Sequence, residues 1–271
     1  MHEESGRAVD APKKLLTLLE GRAAFEFGAF VAASPALRML GRGDSHPVLV
    51  LPGFTGNDRS TAPLRWWLRS QGYWSHGWGL GANIGPSERI IHGMRERLEQ
   101  LATRHDRKVT LIGWSLGGVY ARVLAREAPE QVRQVITLGS PFRMRDGDDS
   151  AASDLWGQLQ HLHSDEFSLL TLPEDERAPV PVPTTAIYTK TDGVVRWNMC
   201  IEAKTDTSES IEVYGSHSGL GHNPAAIVAI ADRLARPEGE WQPFKAPKAL
   251  RGMYPKPEHW DPALDSHLMR G

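Results

Sequence analysis

Ser115 lies at the centre of a short pattern, Gly113-Trp114-Ser115-Leu116-Gly117, that can turn a serine hydroxyl into a nucleophile. The apolar run before it, residues 109–112, predicts a strand, and the residues after Gly117 predict a helix. On such a sharp strand-to-helix turn the hydroxyl lies near the helix N-terminus, where negative charge is favoured, and a Cβ at either flanking glycine would crowd the backbone. A serine in a glycine-rich turn by chance is the alternative. The strand and helix on either side favour the nucleophile.

A serine nucleophile needs a base within hydrogen-bond reach, and the base needs an acid that orients it. Enzymes with this kind of turn carry the acid, and then a histidine, downstream of the serine. Asp192 follows a predicted strand over residues 182–188, and open α/β sheets place functional groups at the carboxyl ends of their strands. Asp192 is therefore the candidate acid. An ordinary Asp-Gly turn is the alternative, and Asp206 and Glu209 are the remaining acids in a suitable position.

Two histidines compete for the part of the base, His217 and His222, in the loop before the last predicted helix. His217 directly follows a predicted strand over residues 210–214, and small residues on both sides let the loop bend tightly around it. His222 lies next to the helix start, where a capping or surface histidine is common. We predict His217 as the base and keep His222 as the alternative. A histidine base that must begin neutral predicts activity that rises through a single pKa of about 6 to 7.

The third requirement is a pair of N–H donors for the oxyanion of the tetrahedral intermediate. One donor is the backbone N–H of Leu116, which follows the nucleophile. The other is expected in a loop after an early strand, where Gly53 and Gly56 allow a close backbone approach. The N–H of Phe54 is the predicted donor. A glycine turn without catalytic duty is the alternative.

Strands and helices must alternate to position these groups, and the pattern along the chain predicts that they do. The continuous apolar run 47–51 is typical of a strand buried on both faces of a parallel sheet. Residues 13–40 predict a helix broken near Ser34-Pro35. The alternation predicts a mostly parallel sheet with helices on both faces. The other predicted strands cover residues 73–80 and 132–138, and the other predicted helices cover 61–71, 86–105 and 223–234.

The pattern predicts three regions: an N-terminal helical extension (1–45), an α/β domain (46–236) and an extended C-terminal tail (237–271). An insertion over about 142–181 interrupts the domain. Leu155, Trp156, Leu159 and Leu162 follow helical spacing there, which fits either a cap over the site or a surface excursion.

These residues together resemble the lipase and esterase branch of the α/β-hydrolase superfamily, over about residues 46–236. Pro52-Gly53-Phe54 is similar to the His-Gly-Phe oxyanion loop common in that branch, with proline in place of histidine. Trp114 stands where the family usually has a histidine before the serine, and His217-Ser218-Gly219-Leu220 matches the His-x-Gly-Leu signature of small bacterial lipases. The resemblance implies the α/β-hydrolase fold with a short cap, and a triad of Ser115, Asp192 and His217.

Composition narrows the remaining possibilities. A formal net charge of −2 gives no overall electrostatic attraction for nucleic acid or an anionic membrane. A single cysteine, Cys200, excludes an internal disulfide and is expected to be a buried, inert thiol. The first residues lack the features of a signal peptide, and the apolar stretch 25–33 is too short to span a bilayer. A cytoplasmic protein without a transmembrane segment is therefore predicted.

The leading hypothesis is a serine hydrolase of carboxylic esters that needs no cofactor and no metal. His161 and His163 form an H-x-H pair, but without an acidic partner they are expected to be ordinary solvated histidines. Small-molecule or lipid esters are the expected substrates, with transient contact to a lipid surface. The aromatic residues Trp66, Trp67, Tyr73, Trp74 and Trp78 fit an acyl pocket, and they fit core packing equally well. The alternatives are an acyltransferase or thioesterase with the same triad, and a catalytically silent binding protein of hydrolase fold.

Overall fold

A computed structural model describes residues 11–41, 44–144, 148–164 and 179–260. Parts of the predicted N-terminal extension, the insertion and the tail therefore lie outside the described residues. Within them, six strands form one parallel sheet in the order β2-β1-β3-β4-β5-β6. The strands are β1 (Pro47–Leu51), β2 (Trp74–Gly77), β3 (Val109–Trp114), β4 (Val132–Leu138), β5 (Thr184–Tyr188) and β6 (Ser208–Glu212).

Helices cover both faces of this sheet, as the alternation predicted. They are α1 (Lys14–Leu18), α2 (Ala23–Leu37), α3 (Ala62–Ser70), α4 (Glu88–His105), α5 (Leu116–Glu127), α6 (Ser153–Leu159) and α7 (Pro224–Leu234). Short 3₁₀ turns add Leu19–Arg22, Gln160–Leu162, Trp197–Cys200, His217–His222 and Lys248–Met253. No helix among the described residues combines the length and the hydropathy needed to cross a bilayer.

Strand β1 shows why an unbroken apolar run is needed at the middle of this sheet. All five of its residues are buried. Val48 and Val50 belong to a core that includes residues of α2, α3 and α7, whereas Leu49 and Leu51 belong to the core formed with α4 and α5. Successive side chains of a strand point to opposite faces, so a strand covered on both faces must be apolar throughout.

The chain order of the strands places a crevice between β1 and β3. From β1 the chain moves outward to β2, returns to β3 on the other side, and then continues outward to β6. The loops that follow β1 and β3 consequently diverge, and a crevice opens beyond their carboxyl ends. Ser115 directly follows β3, and the loop with Phe54 follows β1, so both lie at this crevice.

Two of the predicted elements differ from the structure by more than two residues at a boundary. The break in the N-terminal helix lies at the 3₁₀ turn Leu19–Arg22, not near Ser34-Pro35. Gly21 is a poor helix former, whereas α2 continues through Pro35 and ends two residues later, at Leu37. The predicted strand over residues 73–80 ends early, at Gly77. The Asp58 carboxylate accepts the N–H groups of the next two residues at 3.0 and 3.1 Å, and these groups are lost to the sheet.

The described part of the C-terminal segment, residues 237–260, is less extended than the sequence predicted. It contains the 3₁₀ turn Lys248–Met253. The Phe244 and Tyr254 rings lie 4.9 Å apart, and the Tyr254 hydroxyl donates to the carbonyl of Ala225 in α7 at 2.8 Å. Isolated aromatic anchors therefore hold this segment on the domain, and they leave no periodic signal in the sequence.

Candidate active site

Ser115 occupies a strained turn between β3 and α5. Its φ of 52° and ψ of −125° lie in a region that non-glycine residues rarely adopt. The two flanking glycines permit this turn: a Cβ on Gly113 would collide with the backbone of Gly118, and a Cβ on Gly117 would collide with the carbonyl of Leu51. The turn lifts the Ser115 hydroxyl to the wall of a cavity of about 860 Å³ at the crevice.

His217 and Asp192 form a buried, hydrogen-bonded pair beside that cavity. Nδ1 of His217 lies 2.6 Å from Oδ2 of Asp192. The other carboxylate oxygen of Asp192 accepts the N–H groups of Val194 and Val195, each at 2.8 Å. With one oxygen bonded to the backbone and the other to Nδ1, the Asp192 carboxylate fixes the orientation of the His217 imidazole. Nε2 makes no bond to Asp192, so it can accept the proton of the serine hydroxyl. Because His217 lines the same cavity as Ser115, the arrangement suits transfer of the serine proton to this imidazole.

The surroundings of His217 act on its pKa in opposite directions. Burial alone would lower the pKa, because the charged imidazolium loses its hydration. The carboxylate of Asp192, through its charge and its hydrogen bond, acts the other way, and Glu20 adds a smaller effect of the same sign. The net result is a pKa above the ordinary 6.5. His217 is thus a stronger base than a free histidine.

His222 lies elsewhere. Its Nε2 is 3.1 Å from the carbonyl oxygen of Ala23, to which it donates, and its ring meets that of Phe27 edge-on at 5.5 Å. Both partners belong to α2. His222 therefore joins the N-terminal helix to the domain, and it does not line the cavity with Ser115 in the described structure.

Both predicted oxyanion donors lie at the cavity. Phe54 and Leu116 line it together with Ser115. The N–H of Leu116 is the first of α5, where N–H groups have no acceptor within their own helix. The loop with Phe54 comes so close that a Cβ on Gly53 would lie 3.0 Å from the Cβ of Ser115.

Asn83 holds the loop with Phe54 in place and was not identified from the sequence. Its side-chain amide donates to the carbonyl of Pro52 at 2.9 Å. Its backbone accepts from the N–H of Thr55 at 2.7 Å and donates to the carbonyl of Gly56 at 2.8 Å. Asn83 is fully buried and thus fastens both ends of the loop. A lone asparagine between glycines gives no pattern that could have revealed this role.

Part of the predicted insertion forms one wall of the cavity. Leu155 and Trp156 of α6 line it, and the Trp156 ring lies 5.3 Å from the ring of Phe54. Among the described residues, Phe54, Trp114 and Trp156 bring phenyl and indole rings to the cavity. The aromatic cluster 66–78 proposed for an acyl pocket does not contribute: Trp67 and Trp78 are buried in the core, and Trp66 and Trp74 are exposed.

The other residues considered for catalysis or metal binding make contacts that stabilise the fold. Glu209 pairs with Arg233 at 2.7 Å. It lies opposite Thr185, near the start of β5, whereas Asp192 follows the end of that strand. Nε2 of His163 lies 3.0 Å from the carbonyl of Ile84, and burial lowers its pKa. No group of three or more potential metal ligands occurs in the part of the chain that the structure describes. Cys200 is buried, and burial raises the pKa of its thiol well above the ordinary value.

Comparison with known proteins adds to this geometry. A family model described as an alpha/beta hydrolase fold matches residues 50–174. The chain is 32% identical over 127 residues to a triacylglycerol lipase of Burkholderia plantarii, a match that covers 43% of this chain and 36% of the lipase. It is 28% identical over 109 residues to a pimeloyl-(acyl-carrier protein) methyl ester esterase of Aliivibrio fischeri, across 31% of this chain and 42% of the esterase. The matched part thus spans less than half the length of these relatives.

Solved structures extend the similarity over more of the chain. Lipase B of Aspergillus fumigatus superposes with a TM-score of 0.56 at 17% identity, over 73% of this chain and 54% of the lipase. A monoacylglycerol lipase of Paleococcus ferrophilus gives a TM-score of 0.52 at 14% identity, over 72% of this chain and 96% of the lipase. At these identities the likeness concerns the fold.

Proposed function

Because this chain belongs to the α/β-hydrolase superfamily, we propose that it hydrolyses carboxylic esters through an acyl-enzyme on Ser115. The observation that carries the proposal is the His217–Asp192 pair at 2.6 Å beside the cavity that Ser115 and His217 both line. A nucleophile, a base and an orienting acid in this order are the parts that acyl transfer requires.

The proposed reaction runs in two halves. Oγ of Ser115 attacks the ester carbonyl while Nε2 of His217 takes its proton, and Asp192 stabilises the imidazolium that forms. The N–H groups of Phe54 and Leu116 stabilise the oxyanion. His217 then returns the proton to the departing alcohol, which leaves the acyl group on Ser115. A water molecule, deprotonated by His217, releases the acid and restores the serine.

The cavity indicates the class of acyl group. A volume of about 860 Å³ lies towards the upper end of the range typical of small-molecule sites. Its walls include Phe54, Leu155, Trp156 and Val195, which suit an aliphatic chain better than a charged one. We therefore propose esters with medium or longer acyl chains, including lipids reached at a lipid surface. The names of two matched relatives, a triacylglycerol lipase and a methyl ester esterase, support ester cleavage.

The test is covalent labelling by a fluorophosphonate, followed by assays with p-nitrophenyl esters of graded chain length. The wild-type protein should be labelled on the peptide that contains Ser115. Ser115→Ala should abolish labelling and lower kcat by at least ~10³, with its thermal unfolding unchanged. Ser218→Ala, which removes another hydroxyl at the same cavity, should still be labelled.

Three outcomes would change the assignment. A folded wild-type protein that resists labelling is the silent binding protein. Labelling with turnover of thioesters but not of oxygen esters identifies a thioesterase. Acyl transfer to an added alcohol in preference to water identifies an acyltransferase. Wild-type activity in folded Ser115→Ala would overturn the mechanism itself.

A further inference from the structure

The N-terminal arm, defined here as residues 13–37 with α1, the 3₁₀ turn and α2, reaches the loop of the candidate acid. Oε1 of Glu20 accepts the N–H of Gly193, the residue after Asp192, at 2.9 Å. The Thr17 hydroxyl donates to the carbonyl of the same glycine at 2.8 Å. Both backbone groups of Gly193 are therefore bonded to the arm.

The same carboxylate also reaches the loop of the candidate base. Oε1 of Glu20 accepts the N–H of His217 at 3.0 Å, and Oε2 accepts the N–H of Ser218 at 2.8 Å. One side chain thus receives three backbone N–H groups from two loops that the fold brings together from different strands. Bonds from N–H groups to an ionised carboxylate are stronger than neutral hydrogen bonds.

The fit between arm and loops depends on two glycines. A Cβ on Gly193 would collide with the backbone of Leu16, and a Cβ on Gly219 would collide with the carboxylate of Glu26. The close approach therefore needs glycine on both loops. This close approach indicates a specific interface between the arm and the two loops, because a helix that only covers the surface does not require glycine at the positions it faces.

An ordinary surface helix buries apolar side chains and exposes charged ones, but several residues of the arm do the opposite. Leu18, Phe25 and Val31 are 79%, 83% and 55% exposed, whereas Glu20 and Glu26 point to the loops. Phe30 and Leu37 fasten the far end of the arm in the core. The polar contacts thus fix where the near end of the arm sits, since directional bonds specify position more tightly than apolar packing does.

We propose that Glu20 is a positioning residue for the catalytic pair. It holds the loops of Asp192 and His217 at the separation that the 2.6 Å bond between the two side chains requires. The inference rests on the proposed function. Glu20 does not line the cavity in the described structure, so it acts through these two residues and not on the substrate.

The charge of Glu20 provides a signature that a purely structural role would lack. Burial alone would raise the pKa of Glu20, but the hydrogen bonds from Ser218, Gly193 and His217 outweigh it and lower the pKa, so the group is ionised at neutral pH. Its negative charge helps to raise the pKa of His217.

Other charged groups lie close to the loops. Asp192 is in direct contact with His217. From the arm, Arg22 donates to the carbonyls of Thr191 and Gly215, and Glu26 accepts the N–H of Ser216. Glu26 therefore provides a matched control, because it is a second arm carboxylate on the same loop that makes no bond to His217 or Gly193.

The experiment compares Glu20→Gln, Glu20→Asp and Glu26→Gln with the wild-type protein. The first readout is kcat and KM for a p-nitrophenyl ester across pH. The second is the pKa of the His217 imidazole, titrated by NMR, which needs no activity. The third is hydrogen exchange of the Gly193, His217 and Ser218 amides.

Glu20→Gln should lower kcat about 10- to 100-fold with little change in KM, the size of loss expected when catalytic groups are displaced. Without the negative charge the pKa of His217 falls, so the neutral base persists to lower pH and the acidic limb of kcat/KM moves to lower pH. Glu20→Asp keeps the charge and should restore most of the pKa of His217. Glu26→Gln should leave that pKa unchanged. The Gly193, His217 and Ser218 amides should exchange faster in Glu20→Gln but not in Glu26→Gln.

Two results would overturn the proposal. The first is a Glu20→Gln protein that folds and keeps the wild-type kcat and the wild-type pKa of His217. The second is an equal pKa shift in Glu26→Gln, which would mean that charge on the arm acts from any position. If the wild-type protein fails to react with the fluorophosphonate, the proposed function fails separately, and the NMR and exchange readouts still decide the role of Glu20. Should Glu20→Gln not fold, kcat and amide exchange of Glu20→Asp decide the role of Glu20, because its shorter side chain keeps the charge but cannot span both loops. A folded Glu20→Asp protein with the wild-type kcat and the wild-type exchange of all three amides would then overturn the proposal.

Discussion

Nε1 of Trp114 donates a hydrogen bond to the backbone carbonyl of His217 at 3.0 Å. The residue before the candidate nucleophile therefore holds the backbone of the candidate base. The indole also fills the space over Gly221, where a Cβ would lie 2.7 Å from the ring. Resemblance to lipases marked Trp114 as a departure from the usual histidine, and the structure shows what tryptophan does in that place.

Trp114→Phe removes this donor and keeps an aromatic ring. We expect kcat to fall about tenfold, because the backbone carbonyl of His217 loses its bond to Trp114 and the imidazole is aligned less well. The check is kcat and KM for a medium-chain ester, with Trp74→Phe, an exposed ring on β2, as the control. Unchanged kcat in a folded Trp114→Phe protein would show that the bond is incidental.

The choice between the two histidines can be tested directly. His217→Ala should abolish acylation, with a loss of at least ~10³ in its rate, because His217 is the histidine that lines the cavity with Ser115 in the described structure. His222→Ala should keep acylation and lose about 1 kcal/mol of stability, the usual worth of one hydrogen bond, here to Ala23. Rapid-mixing acylation rates and denaturant unfolding measure both. If His222→Ala stops acylation and His217→Ala does not, the base is misassigned.

Activity should rise with pH through a single pKa above the ordinary 6.5 of histidine, because Asp192 and Glu20 favour the imidazolium and the base must be neutral. The sequence alone predicted about 6 to 7. The structure moves the expectation upward. The check is kcat/KM from acidic to alkaline pH. A flat profile would exclude a histidine base.

The raised pKa of His217 also predicts that its contribution to the free energy of unfolding falls as pH rises, whereas activity increases. Because the folded state holds the proton on His217 more tightly than the unfolded chain, this group stabilises the fold fully below the unfolded pKa, and that contribution is lost as pH rises through the folded pKa. Unfolding free energies of wild-type protein and His217→Gln should therefore differ more at about pH 5 than at about pH 8. A constant difference would contradict the raised pKa.

The wall made by α6 should shape acyl specificity. Trp156→Ala removes the ring next to Phe54, so the preference for medium over short acyl chains should fall about tenfold, within the range that apolar pocket contacts supply. Leu162→Ala, in the same insertion but 41% exposed, should keep the wild-type profile. Assays over p-nitrophenyl esters of increasing length compare them. An unchanged chain-length profile in Trp156→Ala would mean that the insertion is a surface segment without a role in acyl specificity.

The fold could be predicted from the sequence because the strands and helices depend on residues close together in the chain. The apolar run of β1, the helix after Ser115 and the alternation of elements follow from periodicity and turn chemistry. Ser115, Asp192 and His217 were chosen by their order and by their places at strand ends, and the structure brings His217 and Asp192 into contact beside the cavity of Ser115. Their catalytic roles stay predictions.

Contacts between distant segments could not be predicted in this way. The bonds from Trp114 to His217 and from Glu20 to His217 span 103 and 197 residues. Asn83 supports a loop through a bond that spans 31 residues. No periodicity couples such positions, since tertiary packing alone brings them together. The Asp58 carboxylate ended β2 early for the same reason, by taking N–H groups that the sequence assigned to the strand.

The distance along the chain between Glu20 and the loops that it holds has a consequence during synthesis. Glu20 leaves the ribosome 198 residues before Ser218, its partner on the loop of the candidate base. The turn with Ser115 and its supporting strands β1 and β3 are available to fold while the acid and base loops have yet to be made. A nascent chain therefore contains Ser115 long before both loops exist, and under the proposed mechanism it could not form an acyl-enzyme until they have emerged.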